Sequence, residues 1–328
     1  MFNDKTIIIT GGTGSFGNAF VKKILSEYDV KKIIVFSRDE MKQNDMRSKF
    51  PGESRIRYFL GDVRDKDRLL LAMRGVDFVV HAAALKIVPI AEEDPFECVK
   101  TNILGAMNVI EAALYTPTVK KVVALSTDKA SSPINLYGAT KLASDKLFSA
   151  ANNLTGSQDL CFSVVRYGNV MGSRGSVIPL FLKLKSSKFM PITHPKMTRF
   201  MITLEQGIDL VVEAFKSSVG GEIYVKKIPS MKVEEIASAI SPETPHKIIG
   251  VRPGEKLHES MISTTESPLT YEYDGFYKIL PSWLKSDEIR KYVQGGAKVA
   301  DDFEYNSNTN KEWMSKPELL NWVNQNVL

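Results

Sequence analysis

The stretch TIIITGGTGSFG, residues 6–17, decides the fold. Its first five residues are β-branched and read as a buried strand. They run straight into glycines and then into a helical apolar pattern over residues 16–26. Gly11, Gly14 and Gly17 permit a tight turn, close approach of backbone to a pyrophosphate, and close packing of helix on strand. The start of the helix then faces the anion. A glycine triplet alone is a weak signal. Set between a first strand and a first helix it predicts dinucleotide binding, with Thr13, Ser15 and Phe16 completing the loop.

Working outward, short β-branched runs at residues 32–36, 57–60, 78–80, 121–125 and 162–166 alternate with amphipathic segments at 65–73, 96–114 and 137–151. Continuous apolar strands separated by helices indicate a parallel sheet covered on both faces. The reading is an α/β chain with a Rossmann-type doubly wound parallel sheet over residues 1–168. After Tyr167 the alternation gives way to glycine, serine and proline punctuation, which predicts a smaller, mixed C-terminal substrate-binding lobe from residues 169–199 and 223–328. Residues 200–222 hold one more helical pattern and are expected to pack back on the first domain. The polar, asparagine-rich segment 301–311 is expected to be loosely ordered.

The chain has 328 residues, 43% of them apolar and 25% charged, a globular composition that excludes a disordered or disulfide-stapled class. No run approaches the roughly 18 to 20 apolar residues that a membrane-spanning helix needs. A soluble, cytoplasmic protein with no membrane segment is expected. Cys98 and Cys161 read as small buried thiols, and four histidines without ligand spacing offer no metal site. The 43 basic and 38 acidic residues leave +5, scattered along the chain, which suits a small anionic ligand and not nucleic acid.

The residues after the second strand bear on the cofactor. An acid there binds the adenine ribose of NAD, whereas a cation accepts the 2′-phosphate of NADP. The chain reads Ser37, Arg38, Asp39, and the hydroxyl and guanidinium suit NADP; the alternative leaves Arg38 in solvent and gives the ribose to Asp39. Asp62 and Val63 lie where adenine is read. Ala82 and Ala83, at the end of the fourth strand, leave room for the cofactor backbone. His81 is expected to pack, not to react.

Tyr137 and Lys141 stand one helical turn apart and share a face. Tyr28 and Lys32 have the same spacing but lead into the second strand, far from the ligand-binding end of the sheet. Tyr137 instead opens a helix after the fifth strand, beside the hydroxyl of Thr127. A neighbouring lysine is expected to lower the phenol pKa from about 10, so that a phenolate takes a hydroxyl proton while hydride leaves carbon.

Together with Asn102, these residues resemble the extended short-chain dehydrogenase/reductase family over nearly the whole chain. Within it, Ser126-Thr-Asp-Lys-Ala130 resembles the nucleotide-sugar 4,6-dehydratases. The blocks AAALKIVP (82–89), STDKASSPINLYGATK (126–141), VRYGNVMGSRGSVIP (165–179) and RPGEKLHE (252–259) are similar to the inverting UDP-N-acetylglucosamine 4,6-dehydratases of pseudaminic acid biosynthesis. The resemblance implies UDP-N-acetylglucosamine as substrate, NADP as cofactor and a homo-oligomer, dimer or hexamer, with residues 96–114 and 137–151 as contact faces.

It also implies roles. Tyr137, with Thr127 and Lys141, would take the C4 hydroxyl proton; Lys129 would be the base at C5 and Asp128 the acid at the departing O6. Asn169, Arg199 and Arg252 match positions around the diphosphate, Glu255 a ribose contact, and Lys86 the hexose side. As a base, Lys129 must be neutral, which requires its pKa of about 10.4 to fall by roughly three units. Burial and Lys141 favour that fall, and an ionised Asp128 opposes it. Three other readings stay open: a retaining 4,6-dehydratase, a nucleotide-sugar C4 epimerase, and a non-catalytic NADP-binding sensor that keeps only the fold.

Overall fold

The computed structural model describes residues 1–173 and 175–327. Its main sheet starts with six parallel strands: β1 (Thr6–Thr10), β2 (Lys32–Ser37), β3 (Ile56–Leu60), β4 (Phe78–His81), β5 (Lys121–Leu125) and β6 (Cys161–Arg166). They lie in the order β3-β2-β1-β4-β5-β6. The order reverses between β1 and β4, and the crevice above that reversal is where doubly wound sheets hold their ligands. Ile7, Ile8, Ile9, Val79, Val80, Val122 and Val123 are fully buried, because helices cover both faces. That double coverage makes these strands continuous apolar runs.

Past β6 the sheet continues further than expected. Ile223–Lys226 pairs parallel with β6, and Phe276–Ile279, Thr270–Tyr273 and Ala297–Lys298 extend it as antiparallel strands. Among the described residues the sheet has ten strands. These four strands, which fall in the stretch 223–328 expected in the second lobe, therefore join the sheet of the first. These strands have four residues or fewer and are separated by glycine and proline, so they read as loop punctuation. Leu204–Ser217 packs on the main core, and its first turn is closed by a reciprocal Thr203 and Gln206 capping box.

The second lobe is built from Asn169–Val170, Thr198–Ile202 and Ser230–Lys232, with the helices Val177–Lys183, Val233–Ile240 and Lys316–Asn326. Met171, Met190, Met197, Met201 and Met231 fill its core with Phe181, Ile236 and Leu319. The segment 301–311 is not loose. Tyr305 is buried and its hydroxyl is held by the Ile228 main chain, Ser307 is fully buried, and Asn310 donates to Ile228 and Glu312 carbonyls. Its asparagines close turns and do not mark disorder.

Buried Arg166 ties the Leu136–Ala150 helix to the segment 261–266. It donates to Asp145 at 3.3 Å, to Glu266 at 3.0 Å and to the Met261 carbonyl at 2.8 Å. Cys98 is buried and Cys161 half-buried, and both are free thiols. Among the described residues no helix is long and apolar enough to cross a membrane, and no group of three or more His, Cys, Asp and Glu gathers in metal-binding range.

Candidate active site

The glycine loop has the shape a dinucleotide requires. Gly11 sits at φ +66°, and a Cβ there would come within 2.8 Å of the Ala83 nitrogen and 2.9 Å of the Ala82 carbonyl. At Gly17 a Cβ would lie 2.1 Å from the Gly12 oxygen. Loop, helix and β4 end are thus drawn together by the absence of side chains. The helix Ser15–Glu27 has no side-chain cap and no acid in its first turn, so its leading N–H groups face outward for an anion. These residues fit a nicotinamide dinucleotide. Beside the loop, His81 Nδ1 and Thr10 Oγ1 share a hydrogen bond of 2.8 Å, and burial, reinforced by Lys141, lowers the imidazole pKa to about 3. His81 packs as a neutral ring.

At the ribose end, Arg38 is more than half exposed at the lip and faces Asp62 at 3.5 Å. The Asp62 carboxylate also takes Arg64 at 2.7 Å, an engagement not legible from sequence. Asp39 is not directed at the cofactor: it caps the helix Glu40–Lys49 by accepting from the Lys42 N–H at 3.0 Å. Ser37 is buried and its hydroxyl accepts from Gln43.

The segment after β5 carries the chemistry. Thr127, Asp128 and Lys129 leave the strand into a single helical turn at Asp128–Ala130, and Asn135 caps the helix Leu136–Ala150 through the Gly138 N–H. Thr127 lies beside the Tyr137 phenol, near enough to pull its pKa down, and donates its own proton to Asp128 Oδ1 at 2.9 Å. Lys129 Nζ donates to the same Asp128 oxygen at 3.1 Å and pairs with Glu259 at 3.2 Å. Thr127, Asp128, Lys129 and Glu259 form one polar chain, with the Tyr137 phenol beside its Thr127 end.

Two electrostatic expectations are corrected by this chain. Burial alone would lower the Lys129 pKa, but the Asp128 and Glu259 carboxylates outweigh it and hold the ammonium well above the usual lysine range. Glu259, only 2% exposed, was not assigned a role from sequence, although it closes the RPGEKLHE block; nothing local to that block reveals Lys129 as its partner. The Tyr137 phenol is likewise pushed up, to about 12, because burial exceeds the opposing effects of Lys129 and Thr127. Lys141, expected to lower it, instead donates to the Leu125 carbonyl at 2.7 Å, and burial depresses its own pKa against the pull of Asp145.

Asn102 acts through the backbone. It accepts from the Leu85 N–H at 2.8 Å and donates to the Leu85 carbonyl at 2.9 Å. This is possible because the expected straight helix over 96–114 is broken by a π-helical turn at Lys100–Leu104, a local widening often found at functional sites. The tether positions the loop that carries Lys86, whose pKa is lowered by burial.

The residues matched to the diphosphate are placed unevenly. Arg199 sits deep beside the catalytic chain, 3.8 Å from Glu259, and donates to the carbonyls of Thr198, Leu257 and Lys256. Arg252 is exposed and faces Glu255 at 3.7 Å. Their loop is tied over the catalytic segment by Asn135 to the Gly254 carbonyl at 2.7 Å and by Lys256 to the Ser131 carbonyl at 2.6 Å. Asn169 is half-buried on its strand, with its side-chain oxygen buried and unbonded among the described residues.

A family model described as "Polysaccharide biosynthesis protein" matches residues 7–281. The chain belongs to this family. A family member from Campylobacter jejuni subsp. jejuni serotype O:23/36, an inverting UDP-N-acetylglucosamine 4,6-dehydratase, is 56% identical over 99% of the chain and 98% of its own length. A Rickettsia felis UDP-glucose 4-epimerase is 43% identical over 95% and 93%. Among solved structures, Pen from Bacillus thuringiensis superposes with a TM-score of 0.91 at 38% identity over the full length of both chains. The resemblance and the Rossmann-type fold read from the sequence are thus borne out in this family.

Proposed function

We propose that the protein is an NADP-dependent UDP-N-acetylglucosamine 4,6-dehydratase that inverts C5, and that it supplies a 4-keto-6-deoxy-L-arabino nucleotide sugar for pseudaminic acid and surface glycan synthesis. The observation that carries this reading is the Asp128 and Lys129 pair, hydrogen-bonded to each other and tied through Asp128 to Thr127, beside the Tyr137 phenol. A C4 epimerase needs the tyrosine end of that chain but has no use for the acid and amine end. The 56% identity to the Campylobacter enzyme supports the same substrate.

The Gly11 to Gly17 loop, Ser37, Arg38, Asp62, Val63, Ala82, Ala83, Tyr137 and Lys141 would hold the dinucleotide. Bound there, the dinucleotide would supply reversible hydride transfer at C4 and C6, so that no second substrate would be consumed. Tyr137 takes the C4 hydroxyl proton, and because its phenol is protonated at neutral pH, its own proton passes by way of Thr127 to Asp128, which Thr127 already hydrogen-bonds. The C4 ketone acidifies the C5 hydrogen, which Lys129 removes as an amine. Asp128 gives its proton to O6, and water departs. Asn169, Arg199, Arg252 and Glu255 would meet the uridine diphosphate and Lys86 the hexose.

The proposal includes a cytoplasmic homo-oligomer. Phe96, 78% exposed, with Leu104 and Met107, forms an apolar stripe along the 96–114 segment, of the kind that marks a protein contact. Incubation with UDP-N-acetylglucosamine and mass spectrometry separates the activities. Loss of one water supports the dehydratase; isomerisation at constant mass indicates the epimerase; an unchanged sugar indicates the sensor.

A further inference from the structure

The dehydration cycle, counted in protons, needs one more acceptor than Asp128, and the structure places it. This count rests on the proposed dehydratase reading. The resting site holds Tyr137 as phenol and Lys129 as ammonium between two carboxylates, Asp128 at 3.1 Å and Glu259 at 3.2 Å. Oxidation at C4 releases a proton that the Tyr137 and Thr127 hydroxyls deliver to Asp128. Elimination then requires Lys129 as a free amine, so a second proton must be stored at the same moment. Asp128 is already filled, as it must be to protonate O6. Among the described residues the remaining acceptor in direct contact with the ammonium is Glu259, whose second carboxylate oxygen is buried and has no hydrogen-bond partner among them.

We infer that Glu259 takes the Lys129 proton before elimination and returns it once C5 has been reprotonated. The steps balance. Lys129 Nζ–H breaks and Glu259 O–H forms; the C5–H pair becomes the C5–C6 double bond as the C5 proton joins Lys129. The C6–O6 bond breaks with the Asp128 proton leaving in water. The Lys129 ammonium then protonates C5 as hydride reaches C6, and the Glu259 proton goes back to Lys129. Every group ends as it began. Lys129 can therefore act as both base and acid in one turnover; its ammonium carries solvent-derived protons beside the one taken from C5, and inversion requires that C5 be reprotonated on the face opposite to the one it lost.

The surroundings suit a carboxylate that changes charge. Arg199 Nε stands 3.8 Å from Glu259. The Lys256 ammonium, whose pKa is lowered mainly by burial, lies near enough to interact with Glu259, Asp128 and Lys129. Ser307 fixes the Glu259 main chain, with the Glu259 N–H donating to the Ser307 hydroxyl at 2.9 Å and the Ser307 N–H to the Glu259 carbonyl at 2.8 Å. Glu259 acts through Lys129 and is a positioning residue for the chemistry.

Glu259→Gln keeps the shape and a hydrogen-bond acceptor but cannot store a proton. It should fold, bind substrate within about threefold of the parent, and oxidise C4 at the parental rate by nicotinamide absorbance, while product formation falls on the order of 100-fold. Its elimination rate should rise about tenfold per pH unit between about pH 7 and 9, because Lys129 must now lose its proton to solvent, whereas the parent stays flat. Glu259→Asp should recover part of the rate. Product formation within threefold of the parent, or a loss shared equally by oxidation and elimination with no new pH slope, would overturn the inference. Independently of activity, 13Cε-lysine NMR of the cofactor-free parent should show Lys129 still protonated at about pH 9, and a neutral amine there would overturn the count even if the variants failed to fold. A parent that eliminates no water from any nucleotide sugar would instead overturn the proposed activity itself.

Discussion

Lys141 donates to the main-chain carbonyl of Leu125 at 2.7 Å, and not to the Tyr137 phenol one turn before it. The lysine is buried, and Asp145, one turn further along the same helix, pulls its pKa back up against the effect of that burial. Its cation is therefore fixed at the end of β5, where the sheet opens towards the cofactor crevice. Lys141→Met should weaken dinucleotide binding at least about tenfold, the scale of a charge-assisted hydrogen bond, and lower turnover further. Fluorescence titration checks the binding; unchanged affinity would confine Lys141 to packing.

Arg38 stands more than half exposed at the ribose end, while Asp39 is committed to capping its helix. With the acid withdrawn, the guanidinium is the group that can distinguish the 2′-phosphate of NADP. Arg38→Ala should narrow the NADP to NAD affinity ratio about tenfold and leave the melting temperature unchanged. An unaltered ratio, measured by competition, would remove NADP from the proposal.

His81 gives the fold a pH dependence. Its folded pKa is about 3 because the ring is buried, against 6.5 unfolded. Below about 6.5 the unfolded chain binds the extra proton first, so the contribution is complete above that pH and is lost as pH falls towards 3. Urea melts should show stability dropping on the order of 1 to 2 kcal/mol between about pH 7 and 5, and His81→Leu should flatten that segment of the curve.

Arg166 joins Asp145 on the Leu136–Ala150 helix to Glu266 in the loop after Ser260–Ile262. Removing the guanidinium leaves two acids facing one another in a buried site. Arg166→Leu should cost about 3 to 5 kcal/mol, the scale for breaking a buried ion pair from one side. A denaturation midpoint within error of the parent would show that solvent already reaches the pair.

The parts of this molecule legible in the sequence are those whose signal is local. The runs of β1, β2, β4 and β5 are apolar on both faces, the Gly11 to Gly17 loop keeps its spacing, and Thr127 through Lys141 lie within one connection. What sequence hides is made by distant pairing. Ile223–Lys226 joins the main sheet only because β6 offers it an edge, and it is too short to announce itself. The π turn at Lys100–Leu104 has no side-chain signature, since its consequence is a bond from Asn102 to the Leu85 backbone. The charge of Lys129 depends on Glu259, a neighbour in space that lies far along the chain.

The central claim is elimination across C5 and C6 with C5 inverted, and proton nuclear magnetic resonance of the fresh product tests it most directly. The reaction run with UDP-N-acetylglucosamine in heavy water should give, at the earliest time point, a 4-keto-6-deoxy sugar of L-arabino configuration with deuterium at C5. A D-xylo product at that time would contradict the inversion, and a C4 epimer that keeps O6 and carries no deuterium at C5 would contradict the dehydratase altogether.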